Sequence, residues 1–523
     1  MSKEFIESGS AILGIELGST RIKAMLIGDT FSPIATGFAV WENKLADGYW
    51  TYSLESIHST LKAAYKSLEE NVFIQYGVPL KKIRAMGVSA MMHGYLPFDK
   101  AGKLLTSFRT WRNTTTEKAA NELSASFGIN IPQRWSVAHL YEAILNGEAH
   151  IKDIAHLTTL SGYIHFLLTG KWELGIGDAS GMFPIKNGAY DAASLCIFEK
   201  LTKKYDLPWK LEEILPEIKP AGTKGTHLTK KGALFLDPSG NLQSGAPICP
   251  PEGDAGTGMV ATNAVNPFTG NISAGTSIFA SVVTGEPLKY ASPNIDIVTT
   301  PAGDPAAMVH CNNCTGELDA WVNIFFEAAQ LAGCKISKDD MYSLLFSDAM
   351  EGNTKGIISY NYLSGEHSTK ISRGRPMYFR LPEANMNLKN YVKSQLFSTV
   401  ATLKIGMDLL LKRENLSLKN LYAHGGLFKA KNVAQEILSA ALDTPVFTME
   451  TAELGGAWGI ALLAAYMASE SKKSLGDWLE YAVFKNQPVT IATPNQKLRA
   501  EYDAYIEKYV LGLTAEKKLE EII

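Results

Sequence analysis

Cysteine is scarce in this chain: five residues in 523, Cys196, Cys249, Cys311, Cys314 and Cys334, scattered along its length. Cysteines so few and so spread build no disulfide framework and fit a reducing compartment, so the expectation is a cytoplasmic protein. Cys311-Asn312-Asn313-Cys314 has the spacing of half a zinc site, but no second Cys/His pair with metal spacing accompanies it, and it is read as structural. Long apolar runs are lacking too. The longest, at residues 455–468, falls short of the ~20 residues a membrane helix needs and is expected to be a buried helix. Neither sign of charge is in excess: 50 Lys and Arg stand against 53 Asp and Glu, a net charge of −3, which gives no footprint for a nucleic acid or other polyanion. The first residues, Met-Ser-Lys-Glu-Phe-Ile-Glu, hold no apolar signal core, so no secretory leader is expected.

What is present is the composition of a soluble globular protein, 46% hydrophobic and 20% charged. Its length exceeds one ordinary core, which predicts two large domains or more. Leu13, Ile15 and Leu17 alternate into Gly18-Ser19-Thr20, and Ile22, Ala24 and Leu26 alternate out again, the pattern of a β-hairpin. The same device recurs where Gly275-Thr276-Ser277 interrupts a run of strand composition, Ile272 before it and Ile278, Phe279, Val282 and Val283 after it. Each turn offers backbone N–H groups and hydroxyls to an anion. Two such units far apart in one chain suggest a duplicated nucleotide-binding fold. Asp254, between Gly253 and Gly256, is a carboxylate with little bulk around it and is the candidate general base.

Between and beyond these features the chain alternates helix and strand. Leu54, Ile57, Leu61, Ala64 and Leu68 mark one face of a helix, and residues 83–88 read as a strand. That strand runs into Ser89-Ala90-Met91-Met92-His93-Gly94, a small-residue turn of the kind that binds ligands in open α/β sheets. Residues 105–182 read as mostly helical, with Trp111, Arg112, Trp135 and Trp172 as candidates for lining a sugar site or, equally, an aromatic core. Residues 184–251 read as short strands and loops leading to a domain boundary just before Asp254. Helices are expected at 317–331 and 389–411. Leu421-Tyr422-Ala423-His424 reads as a short strand entering Gly425-Gly426, with Asn432 placed to cap a helix from Val433.

Taken together, these residues resemble the FGGY family of carbohydrate kinases, in particular its xylulokinase-like branch, over roughly residues 13–466. The resemblance rests on Gly14-Ile15-Glu16-Leu17-Gly18-Ser19-Thr20 with Lys23, Met92-His93-Gly94, Gly253-Asp254-Ala255, Gly275-Thr276-Ser277, Tyr362-Leu363-Ser364-Gly365-Glu366 and Gly425-Gly426-Leu427-Phe428-Lys429, in that order. The chain departs from the family's pattern at Glu16, where Asp is usual, at Trp111-Arg112-Asn113-Thr114-Thr115, where Trp-Asn-Asp-x-Arg is common, and at His139, where Lys is usual.

The resemblance implies an α/β fold of two actin-like (ribonuclease H-like) domains flanking a deep ligand cleft, a sugar-binding domain at 10–252, an ATP-binding domain at 253–484 and a helical tail at 485–523 packing on the body. It implies Mg-ATP as donor and, as partner, a small-molecule sugar, a ketopentose such as xylulose or ribulose, with neither nucleic acid nor membrane and with a possible homodimer. Residue by residue it implies Asp254 as catalytic base; Met92, His93, Gly94, Arg112 and Asp254 for the sugar; Gly18, Ser19, Thr20, Lys23, Gly275, Thr276, Ser277, Gly425, Gly426, Leu427, Lys429 and Asn432 for ATP; and Glu16 and Asp254 for the metal. Phosphoryl transfer needs positioning and charge stabilisation more than covalent help, and these parts suffice. Two other readings remain open from the sequence: a sugar- or nucleotide-sensing protein of the same fold that has lost turnover, and an actin-like or chaperone-type ATPase.

Overall fold

A computed structural model describes residues 2–522 apart from 291 and 431. The first hairpin forms as its alternation predicts: β1 (Ile12–Leu17) and β2 (Arg21–Ile27) are antiparallel, with Glu16 opposite Lys23. β3 (Pro33–Val40) continues the antiparallel run on the far side of β2. The chain then crosses over through α1 (Leu54–Tyr76), begun by Ser53 accepting the N–H of Ser56 and ended by Gly77 in the left-handed region, with Ile57, Leu61, Ala64 and Leu68 buried. It returns as β4 (Ala85–Ala90), parallel to β1.

Residues 105–182 supply helices separated by turns and short strands, among them α2 (Ser136–Leu145) and the single turn α3 (Ile176–Ala179). The stretch 184–251 is less irregular than expected, since an eleven-residue helix, Ala192–Thr202, stands within it. Asp191 caps that helix, but it buries only Ser194, Phe198 and Thr202, a stripe too narrow and too polar to read as periodic. β5 (Thr226–His227) and β6 (Pro247–Ile248) extend the sheet beyond β4, and β7 (Glu252–Gly253) pairs with the end of β4. α4 (Asp254–Ala261) follows at once.

The second half repeats the plan. β8 (Thr269–Ala274) and β9 (Ile278–Val283) form the second hairpin, β10 (Asp296–Thr299) and β11 (Pro305–Cys311) add antiparallel strands, and β11 pairs with β9. After α5 (Gly316–Leu331) and α6 (Lys338–Met350), the helix expected at 389–411 is two, Leu388–Thr399 and Ala401–Glu414. Ser398 and Thr399 turn their hydroxyls back onto the carbonyls of Gln395 and Leu396, and the chain steps at Val400. β12 (Asn420–His424) is parallel to β8, and β13 (Val446–Met449) is parallel to β12, with α7 (Val433–Leu442) between them.

Both sheets are therefore seven-stranded, and each is built on a hairpin with a third antiparallel strand on one side and parallel strands on the other, as a duplicated α/β unit requires. The run at 455–468 is α8 (Gly455–Ser469), buried all round. It lies across β1 and β4 of the first sheet and against α4. Gly459 makes this packing possible, since a Cβ there would fall 2.0 Å from the carbonyl oxygen of Thr257. The tail at 485–523 is not all helix: it starts with β14 (Val489–Ala492), which closes the edge of the second sheet beside β13, and ends in α9 (Gln496–Leu519), whose Tyr502, Tyr505 and Tyr509 are buried in the second core. No helix among the described residues is long and apolar enough to cross a membrane.

Candidate active site

Asp254, read from the sequence only as a carboxylate between glycines, is the first residue of α4. Its Oδ1 accepts the N–H groups of Met92 (3.1 Å) and Ala255 (2.9 Å). The side chain is reached by solvent yet walled in by protein, and that loss of water raises its carboxyl above the usual value against the pull of the N–H donors and of the Arg134 charge. Glu16, on β1, stands at the head of the other buried helix, where its Oε2 accepts the N–H of Ala457 (3.1 Å) in α8. Burial first, and the charge of Asp254 second, raise its carboxyl.

Two carboxylates, each at a helix N-terminus where negative charge is favoured, are thus near enough for the charge of Asp254 to act on Glu16. The Lys23 charge pulls the Glu16 carboxyl down against burial and the Asp254 charge, while the Lys23 ammonium donates to the carbonyl of Leu454 at 3.0 Å. Among the described residues no three acidic, His or Cys side chains gather as a complete metal cage. One or two carboxylates are nonetheless the protein share that Mg²⁺ takes when phosphate oxygens and waters supply the rest, so the chemistry of these residues fits the ion.

The two hairpin turns are held alike. At the first, the carbonyls of Gly18, Ser19 and Thr20 are taken by Trp41 Nε1 (2.7 Å), the Tyr52 hydroxyl (2.6 Å) and the Trp41 N–H (3.1 Å). At the second, those of Gly275, Thr276 and Ser277 are taken by the N–H groups of Thr315 (3.1 Å), Cys314 (3.0 Å) and Gly275 (2.9 Å). With their carbonyls occupied, the turns present exposed Ser19, Thr20 and Thr276 and half-buried Ser277. That is a donor-rich surface suited to phosphate.

Gly425 ends β12 with φ 108°, pressed so closely on β8 that a Cβ would lie 2.2 Å from the Ala274 carbonyl oxygen. The turn Gly426–Phe428 that follows joins α5 and α6 around a cavity of about 370 Å³, walled by Leu318, Asp319, Tyr342, Gly426, Leu427 and Lys429 among others. Thr315, whose N–H holds Gly275, is also in its wall, so the cavity opens beside the second hairpin turn. Asn432 is not part of that wall. It precedes α7 as foreseen, but at φ 74° its side chain makes no capping bond.

On the first sheet's side, Met92 and His93 are buried at the end of β4. His93 takes φ 70°, a conformation that is rare for a residue with a side chain. Its Nδ1–H donates to the Gly181 carbonyl (3.1 Å), which leaves Nε2 as an acceptor, and burial lowers its pKa to about 3, so the ring is neutral. Trp135 stacks beside it, ring centroids 6.4 Å apart. The other candidates disperse. Trp172 is half-buried and stacked on Phe166 against the first core, Trp111 is on the surface, and Arg112 lies 3.9 Å over the ring of Trp50, its charge acting on Tyr52. Cys311 and Cys314 are buried free thiols, with burial pushing the Cys311 thiol up to about 12.

Sequence reasoning missed four residues here. Arg134 directs its charge at both His93 and Asp254, and Asp296 is its ion-pair partner. Glu252 accepts the N–H groups of Gly177 (3.2 Å) and Asp178 (2.9 Å), and Asp178 accepts the hydroxyls of Thr159 and Ser161. Burial raises Asp178 to about 7 and Glu252 to about 8. The available signal was the small-residue run Asp178-Ala179-Ser180-Gly181 after a strand, the same signal that marked His93.

Residues 11–237 match the N-terminal domain of the FGGY family of carbohydrate kinases, and residues 270–468 match its C-terminal domain. The chain is 22% identical to the xylulose kinase of Haemophilus influenzae over 466 residues, 85% of this chain and 89% of that protein. Its fold is similar to that of a xyloylose kinase from Brucella ovis (TM-score 0.77, 18% identity, 97% of this chain and 100% of that one) and of a gluconate kinase from Lactobacillus acidophilus (TM-score 0.74, 17% identity, 97% and 98%).

Proposed function

The chain belongs to the FGGY family of carbohydrate kinases and is a phosphotransferase acting on a sugar, and we propose that it moves the terminal phosphoryl group of Mg-ATP to a hydroxyl of a ketopentose such as xylulose or ribulose. The observation that carries this reading is the double attachment of Asp254. Its carboxylate is bonded to Met92 in the turn that holds His93, while its backbone opens the helix that leads into the second hairpin unit. Sugar held mainly by residues 10–252 and nucleotide held mainly by residues 253–484 would then meet at one carboxylate.

His93 Nε2 accepts a sugar hydroxyl, and Met92 and Gly94 shape the turn around it. Asp254 accepts the proton of the hydroxyl that attacks, and Oδ1, fixed by two N–H donors, keeps the group aimed while Oδ2 takes the proton. The turns Gly18-Ser19-Thr20 and Gly275-Thr276-Ser277 cradle the phosphates, with Lys23 nearby, and the cavity bounded by Gly426, Leu427 and Lys429 takes the adenosine. Mg²⁺ held by Glu16 and Asp254 with phosphate oxygens would neutralise charge on the group in transfer. Five free thiols fit a cytoplasmic setting.

A coupled assay of ADP release against D-xylulose, D-ribulose, gluconate and glycerol tests the reading. Release that depends on a ketopentose is the expected result, and preference for gluconate would move the substrate class to sugar acids. A second reading, a sugar sensor with little turnover, is favoured by the bond between Glu16 and Ala457, which occupies one oxygen of the metal pair. Sugar-induced thermal stabilisation without ADP release would select it.

A further inference from the structure

Two relays leave the His93–Gly94 turn and end on the same strand of the other sheet. In the first, the Gly94 N–H donates to the carbonyl of Arg134 (3.3 Å), and the Arg134 guanidinium pairs with Asp296 on β10. Asn130 Nδ2 adds a bond to the same carboxylate (3.0 Å) and reaches the carbonyl of Ile295 (3.3 Å). In the second, His93 donates to Gly181, and the adjoining Ser180 Oγ accepts the N–H of Thr299 (2.9 Å) at the end of β10. The Thr299 hydroxyl in turn donates to the carbonyl of Ile176 (3.1 Å).

β10 is the edge strand of the second sheet. It pairs with β11, β11 pairs with β9, and β9 starts from the Gly275-Thr276-Ser277 turn. The Arg134–Asp296 pair is largely withdrawn from water, at 29% and 13% exposed, so removing one partner leaves a poorly solvated charge behind.

We infer that Arg134 is a positioning residue: paired with Asp296, it fixes the His93–Gly94 turn to the sheet that carries the second phosphate turn. The inference rests on the sugar-kinase reading above, in which the sugar sits mainly on one half and the phosphoryl donor mainly on the other. Reacting atoms must be held to within a few tenths of an ångström, and a misplacement of about 1 Å costs on the order of 10²-fold in rate. A strap between the halves therefore acts on turnover more than on the affinity of either half for its own ligand.

The test uses the full chain with Arg134→Ala, Asp296→Ala and the double variant, with D-xylulose and ATP as probes. Each single variant is expected to lower kcat ~10-fold while sugar affinity, read by thermal shift without nucleotide, stays within ~3-fold. The double variant should lose no more than the worse single one, because both remove the same link. A kcat loss under ~3-fold in the single variants, or losses that multiply in the double, would overturn the inference. Should the parent phosphorylate no sugar, the kinase reading falls, and amide hydrogen exchange decides the strap by itself. Residues 91–95 should then exchange ~10-fold faster in Asp296→Ala, whose altered residue lies on the other sheet. Unchanged exchange there would overturn the strap.

Discussion

Glu16 Oε2 accepts the N–H of Ala457 at 3.1 Å, and this bond ties the centre of the first sheet to the first turn of a helix that begins more than four hundred residues later. The longer side chain reaches α8 because Gly456 leaves it room, Oε1 lying 2.5 Å from where a Cβ on that glycine would stand. Aspartate, one methylene shorter, would face the metal position but miss the helix. Glu16→Asp is therefore expected to lower stability by about 1 kcal/mol, the worth of one charge-assisted helix-end bond, and to shift the Mg²⁺ dependence of the initial rate without altering sugar affinity in the absence of nucleotide. Superimposable Mg²⁺ titrations of the two proteins would remove Glu16 from the metal site.

Asp254→Asn keeps the size of the side chain and an oxygen for the N–H groups of Met92 and Ala255, but it cannot take a proton. Turnover should fall ~10²-fold or more, with sugar and ATP binding within a few-fold of the parent. Parent-like turnover in a steady-state ADP assay would demote Asp254 to holding the Met92 turn.

His93→Ala removes the Nε2 acceptor and the bond to Gly181 at a position already in the left-handed region. The sugar KM is expected to rise ~10-fold while the ATP KM moves less than ~2-fold, the pattern of lost uniform binding. Because burial holds the imidazole pKa at about 3, the contribution of His93 to sugar binding should be flat between pH 5.5 and 8. An ATP KM that rises in step with the sugar KM would contradict the division of labour between the halves.

Asp178 gives a pH dependence that needs no assay of activity. Its carboxyl, raised by burial to about 7, binds a proton more tightly in the folded chain than in the unfolded one, where the value is about 4. The stability this supplies is complete below the unfolded value and is lost as the pH climbs through about 7. Asp178→Asn abolishes that loss, so the Tm of the variant relative to the parent should rise by about 2 °C or more between pH 5 and pH 8. Calorimetry showing a difference independent of pH would mean that Asp178 is already ionised at pH 5.

The residues from Ile12 to Ile27 and from Thr269 to Val283 carried their own structure. Apolar alternation on both sides of a Gly-Ser/Thr break is complete within some fifteen residues, and a hairpin needs nothing from the rest of the chain to be recognised. The α1 face and the placing of His93 just after a strand were legible for the same local reason. The helix that Asp254 begins was not, because Asp254-Ala255-Gly256-Thr257-Gly258 has poor helix propensity and is made helical by contact with α8, whose Gly459 lets the backbones touch. Arg134 and Asp296 are 162 residues apart, Glu16 and Ala457 are 441 apart, and each pair meets only in the tertiary structure. Local periodicity can state which face of a strand is buried, but not which distant helix end or edge strand will be laid against it, since that is fixed by the packing of whole layers, and the pairing of charges follows from it.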